Sequence, residues 1–158
     1  MIRVEYLQSH ALFGGVANTD LEAIIPLLKE ERYATGDDVV REGDEGSCMY
    51  FIRRGSVEVL KNAGDANRKR RLAVLNEGDT FGEMELIDVQ NRSASVRALE
   101  ELTVLTLGNE DMYEIFEHNR DAFIIILMNI AREISRRLRK MDALVASSLY
   151  AQSEATDA

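Results

Sequence analysis

A series of glycine turns punctuates the middle of this chain, at Thr35-Gly36-Asp37, Glu42-Gly43-Asp44, Arg54-Gly55-Ser56, Ala63-Gly64-Asp65 and Glu77-Gly78-Asp79. Short apolar or alternating runs lie between and after them: Asp38–Arg41, Cys48–Ile52, Ser56–Leu60, Leu72–Leu75, Ala94–Ala98 and Leu102–Leu105. Runs this short cannot be amphipathic helices, and glycine supplies the positive φ that tight turns demand. The spacing predicts a small β-barrel or jelly roll over residues 32–108. The turns keep no strict period, so a repeat array is excluded.

Both flanks follow a helical pattern. Residues 1–31 are expected to be helical. Asn18-Thr19-Asp20 ahead of Leu21, Ile24, Ile25, Leu27 and Leu28 predicts a capped amphipathic helix, with Pro26 forcing a kink or tight turn. Residues 109–148 are expected to form two helices. The first is capped by Asn109 and ends at Phe116; the second starts near Asn119. Leu127, Ala131, Ile134, Leu138, Met141 and Val145 are spaced by alternating fours and threes, which makes a heptad seam. The run Phe123–Met128 is apolar all round, so the early part of this helix should meet the barrel and the later seam a second subunit. Residues 149–158 are small and polar and are expected to fray. The whole, 1–158, is one expected domain of mixed, mainly β structure.

Charge narrows the partners. The chain of 158 residues carries 19 basic and 28 acidic side chains, a net charge of −9. That balance disfavours direct nucleic-acid binding. The apolar run at Phe123–Met128 is far too short for a membrane span, and no signal peptide is visible at the start. The single Cys48 forms no intrachain disulfide, which points to the cytoplasm, and it reads as a core residue rather than a nucleophile. His10 and His118 are far apart and read as packing or surface residues, so no metal set is expected. The run Arg68-Lys69-Arg70-Arg71 sits at a hairpin and reads as solvated. No nucleophile–base pair stands out, and no enzymatic activity is expected.

The chemistry concentrates between Gly78 and Val96. A strand ending at Phe81 meets Gly82, and the turn beginning at Glu83 can present free N–H groups to an anion. Arg92 adds a fixed-charge fork that matches phosphate oxygens, and the Ser93 hydroxyl can donate beside it. Ionised Glu83 can only accept, so it suits a sugar hydroxyl. Together these groups suit a sugar phosphate with a free hydroxyl.

On Phe81, Gly82, Glu83, Leu86, Arg92, Ser93, Ala94 and Val96, this stretch resembles the phosphate-binding cassette of the cyclic nucleotide-binding domain family. Glu42-Gly43-Asp44, Met49–Ile52, Gly55 and Val57 also match, and the resemblance runs from about Leu12 to Leu144. It implies an eight-stranded jelly-roll barrel with N-terminal helices and a long C-terminal helix. It also implies a ligand site at Phe81, Gly82, Glu83, Met84, Glu85, Arg92, Ser93 and Ala94. Arg92 would take the cyclic phosphate and Glu83 the ribose 2′-hydroxyl. Gly82, Glu85 and Ala94 would add backbone N–H groups, and Ser93 its hydroxyl or N–H. The implied ligand is cAMP, with cGMP the other choice. Leu138, Met141, Asp142 and Val145 are the candidates to meet the purine.

Two positions depart from the family pattern. Asn91 stands where proline is frequent, and Glu85 stands where a small residue is usual. A carboxylate turned towards a phosphate at ~4 Å would cost about 1–4 kcal/mol, so Glu85 is expected to face solvent. The other reading pairs Glu85 with Arg92 and describes a dimerisation or scaffold protein that keeps the fold without the ligand. The leading expectation is a regulatory module that signals through its C-terminal helix, as a homodimer, to an effector protein outside this chain.

Overall fold

A computed structural model describes residues 2–64 and 68–156, with side chains through residue 150. The elements run α1 (Val4–Gln8), α2 (Asn18–Ile24), β1 (Lys29–Tyr33), β2 (Asp38–Val40), β3 (Cys48–Arg54), β4 (Val57–Asn62), β5 (Lys69–Leu75), β6 (Thr80–Phe81), α3 (Glu83–Asp88), β7 (Ser95–Ala98), β8 (Leu102–Gly108), α4 (Asn109–His118) and α5 (Arg120–Thr156). Short 3₁₀ turns at Ala11–Phe13 and Ile25–Leu27 complete the N-terminal part.

Among the described residues the strands form two four-stranded antiparallel sheets, ordered β1-β8-β3-β6 and β2-β7-β4-β5. The central strands of the first sheet, β3 and β8, are buried on both faces. In β3, Met49 and Phe51 join the helices while Tyr50 and Ile52 face the second sheet. In β8, Leu105 and Leu107 go one way and Leu102 and Val104 the other. This period-two division explains why Cys48–Ile52 is an almost unbroken apolar run.

The helical face is closed by α5. Ala122, Ile126 and Ile130, four residues apart, are buried against Phe13, Phe51 and Leu105 in one cluster. Asn129 fixes the register by donating to the carbonyls of Leu12 at 2.8 Å and Gly14 at 2.9 Å. Phe13 stacks on Phe51 at 5.5 Å between ring centres, and buried His10 meets Phe51 edge-on at 5.2 Å. His10 is thus a packing residue, and desolvation holds its pKa below the usual value. Beyond Ile134 the apolar side chains Leu138, Met141, Leu144 and Val145 are exposed.

Several expected boundaries change. The N-terminal helical region stops at the 3₁₀ turn around Pro26, and Lys29–Tyr33 is strand β1, paired with β8 from Lys29↔Thr106 to Tyr33↔Leu102. Its polar, partly exposed side chains carry no apolar alternation, which is why helix was expected there. Ala17, not the Asn18-Thr19-Asp20 group, occupies the N-cap of α2. Asp111 rather than Asn109 caps α4, accepting the Gly108 N–H at 2.7 Å, and α4 continues to His118. Asn119 does cap α5, accepting from the Ala122 N–H at 2.9 Å. Helix α5 extends to Thr156, so residues 149–156 are helical rather than frayed. The sequence after Val145 has no glycine or proline to stop it. Residues 157–158 lie outside the described residues.

Candidate functional site

The site is built where β6 hands the chain to α3. Gly82 makes this junction with φ +78°. A Cβ there would sit 2.5 Å from Arg92 Nη1 and 3.0 Å from the Cys48 carbonyl oxygen, so glycine is required for close approach as well as for conformation. At its other end α3 closes on Val89 in the left-handed region, φ +54°, a strained conformation for a β-branched residue.

Arg92 is positioned by backbone on both sides. Its N–H donates to the Asp44 carbonyl at 2.7 Å, and its carbonyl accepts from the Gly43 N–H at 2.9 Å. This clamp turns the guanidinium inward, where it is 5% exposed. Nη2 donates to the Cys48 carbonyl at 2.8 Å. The guanidinium lies 5.5 Å from the centre of the Tyr50 ring, which stacks on Phe81 at 4.7 Å. Cys48 is half-buried, packed against the core between the sheets, with its sulfur 3.8 Å from Arg92 Nη2.

Glu85 is the main correction. It does not face solvent. Its carboxylate is buried with Arg92: Oε2 accepts from Arg92 Nη1 at 3.3 Å, and Oε1 accepts from the Ser93 N–H at 3.1 Å. Exposure would cost Arg92 its ion-pair partner in a region of low dielectric, so the pair turns in together. Gly46 makes room for it, since a Cβ there would fall 2.7 Å from Glu85 Cβ and 2.9 Å from Arg92 Nε.

Glu83 is equally buried, and its partner comes from the far end of the chain. Arg137 on α5 donates through Nη1 to Glu83 Oε1 at 2.7 Å and through Nε to Glu133 at 2.9 Å. Its Nη2 also reaches the Thr80 carbonyl. Glu83 Oε2 is buried without a hydrogen-bond donor among the described residues. Burial pushes the Glu83 carboxyl above its usual pKa, and the Arg137 charge works against that rise.

The fold therefore gathers Phe81, Gly82, Glu83, Glu85, Arg92 and the Ser93 N–H into one place. Ala94 is half-buried and Met84 is exposed at the outer face of α3. Leu138, Met141 and Val145 are exposed, and Arg137 is the α5 side chain hydrogen-bonded to Glu83.

A family model described as "Cyclic nucleotide-binding domain" matches residues 30–119. The chain belongs to the cyclic nucleotide-binding domain family. Its relatives in that family include the cyclic AMP receptor protein of Thermus thermophilus, 29% identical over 86% of this chain and 61% of that protein. The cAMP-dependent protein kinase regulatory subunit of Debaryomyces hansenii is 34% identical over 66% of this chain and 22% of its own length. The solved catabolite activator protein of Thermus thermophilus superposes with a TM-score of 0.75 at 29% identity, covering 86% of this chain and 62% of that one. The chain thus spans less than two thirds of each of these relatives.

Sequence reasoning missed three contributors to the site. Gly46 was one glycine among many turns. The Cys48 carbonyl is a backbone group that any residue could present. Arg137 lies in a basic stretch that reads as the solvated side of a heptad.

Proposed function

We propose that the chain is a non-catalytic regulatory module that takes a 3′,5′-cyclic nucleotide at this cassette, with cAMP as first choice and cGMP as the other. Glu83 carries the reading. A carboxylate oxygen that is buried without a donor among the described residues, beside a buried guanidinium, suits a ligand offering both a hydroxyl and an anion. In this reading the ribose 2′-hydroxyl donates to Glu83. Arg92, the Ser93 hydroxyl or N–H, and the N–H groups of Gly82, Glu85 and Ala94 take the cyclic phosphate. Phe81 and Met84 flank these groups. The two sheets form the roll that holds the cassette.

Arg137 links the cassette to the output. A ligand hydroxyl on Glu83 Oε2 shares the carboxylate with Arg137 on Oε1, and α5 changes its hold on the two sheets as a result. The exposed seam of Leu138, Met141 and Val145 then pairs with the same helix of a second copy and signals to an effector protein. No described helix is long and apolar enough to cross a membrane, and a cytoplasmic setting fits the lone cysteine. The net charge of −9 favours a protein effector over direct contact with nucleic acid.

The Glu85–Arg92 pair favours a second reading, a scaffold that keeps the fold and has lost its ligand. Isothermal titration of the folded chain with cAMP and with cGMP separates the two. The regulatory reading expects saturable binding of at least one nucleotide, one per chain. No heat from either would leave the scaffold reading.

A further inference from the structure

The Glu85 carboxylate takes up, one oxygen each, two of the donors that the proposed function assigns to the nucleotide phosphate: Arg92 Nη1 at 3.3 Å and the Ser93 N–H at 3.1 Å. We propose that Glu85 is a built-in occupant of the phosphate position, which a bound cyclic phosphate must displace, and is therefore the residue that sets the affinity of the site. The inference rests on the cyclic nucleotide reading above and adds the residue that opposes binding.

Charge and shape both support it. A carboxylate and a phosphate present the same feature to a guanidinium, namely anionic oxygens that accept from its N–H groups. A phosphate arriving while Glu85 stayed would place two anions on one guanidinium in a buried setting, where repulsion is weakly screened. The loop at Gly46 packs directly on the pair, since a methyl there would fall 2.7 Å from Glu85 Cβ and 2.9 Å from Arg92 Nε. On the opposite side of the guanidinium, Nη2 is engaged by the Cys48 carbonyl. Glu85 must therefore leave before the phosphate can take Arg92. The way out is along the solvent side of α3, where its neighbours Met84 and Ile87 are exposed.

The carboxylate also explains how a buried arginine is tolerated without ligand. Glu85 balances Arg92, and Arg137 balances Glu83. Both pairs are made within the chain, so a nucleotide phosphate replaces the Glu85 contact instead of finding Arg92 vacant. Affinity is lowered by the stability of the pair it breaks.

The test compares cAMP affinity of the wild type, Glu85→Ala and Glu85→Gln by isothermal titration, with thermal melts confirming the fold. Glu85→Ala empties the phosphate position and should tighten binding at least tenfold. Glu85→Gln keeps the size and an acceptor for the Ser93 N–H but loses the charge, and should tighten binding by a smaller factor. If Glu85→Ala does not fold, Glu85→Gln decides by the same criterion. Silence from the wild type with binding by a variant supports the built-in occupant and overturns nucleotide binding by the native chain. Binding by the wild type that neither folded variant improves overturns the occupant alone. Silence from all folded proteins overturns both.

Discussion

Replacing Arg92 with alanine is expected to destabilise the fold by about 3–5 kcal/mol, the range for breaking one side of a buried ion pair. The side chains of Arg92 and Glu85 are 4% and 6% exposed, so solvent cannot rescue the partner left behind. Glu85 would keep only the Ser93 N–H, and the Cys48 carbonyl would lose its donor. The loop at 43–47 would remain tied to residue 92 through backbone, so the loss is electrostatic more than topological. Denaturant unfolding at neutral pH checks this. A drop below about 1 kcal/mol, the scale of an exposed pair, would mean that the pair is not buried in solution. Replacing both partners, as Glu85→Leu with Arg92→Met, should recover most of the loss, because neither charge is then stranded. Lost nucleotide binding in Arg92→Ala alone therefore does not locate the phosphate. Arg92→Lys keeps the charge and removes the fork, and is the cleaner probe.

Arg137→Ala is expected to cost about 1–3 kcal/mol, less than Arg92→Ala because Arg137 is partly solvated. Its side chain is 29% exposed, against 5% for Glu83. The variant removes the cation that restrains Glu83, whose carboxyl burial already pushes up from 4.5. A carboxyl with a raised pKa in the folded state binds its proton more tightly there than when unfolded. Its favourable contribution is present at low pH and is lost as pH rises through the folded pKa. The deficit of Arg137→Ala against wild type should thus be small at pH 4 and grow towards neutrality. A deficit that stays flat or shrinks with rising pH would show that Arg137 does not act through Glu83. Hydrogen exchange along α5 gives a second readout. Protection should fall near residues 133–140 and persist around Ile126 and Ile130, which the core holds independently.

How much of this was legible in the sequence depended on distance. The run Cys48–Ile52 and the glycine turns announce their strands locally, and the structure places β3 and β4 there. The proximity of Gly82, Glu83 and Arg92 is legible because they fall within a short stretch, and the fold needs only one short helix to bring them together. Strand β1 was not, because an edge strand with polar side chains carries no apolar period. The direction of Glu85 was not legible either. Charge repulsion from a ligand suggested solvent, but in the chain by itself the nearest strong field is Arg92, and the carboxylate turns towards it. Arg137 was hidden most deeply. It meets Glu83 across 54 residues, and its heptad neighbours Leu138 and Met141 are exposed to solvent.

The central claim is that a cyclic nucleotide sits with its phosphate on Arg92 and its ribose on Glu83. A crystal structure of the chain grown with saturating cAMP tests it most directly. The account predicts nucleotide density beside Arg92, a ribose hydroxyl within hydrogen-bond distance of Glu83, and Glu85 withdrawn from the guanidinium. Crystals in which Glu85–Arg92 and Glu83–Arg137 remain paired, with no nucleotide between them, would contradict it.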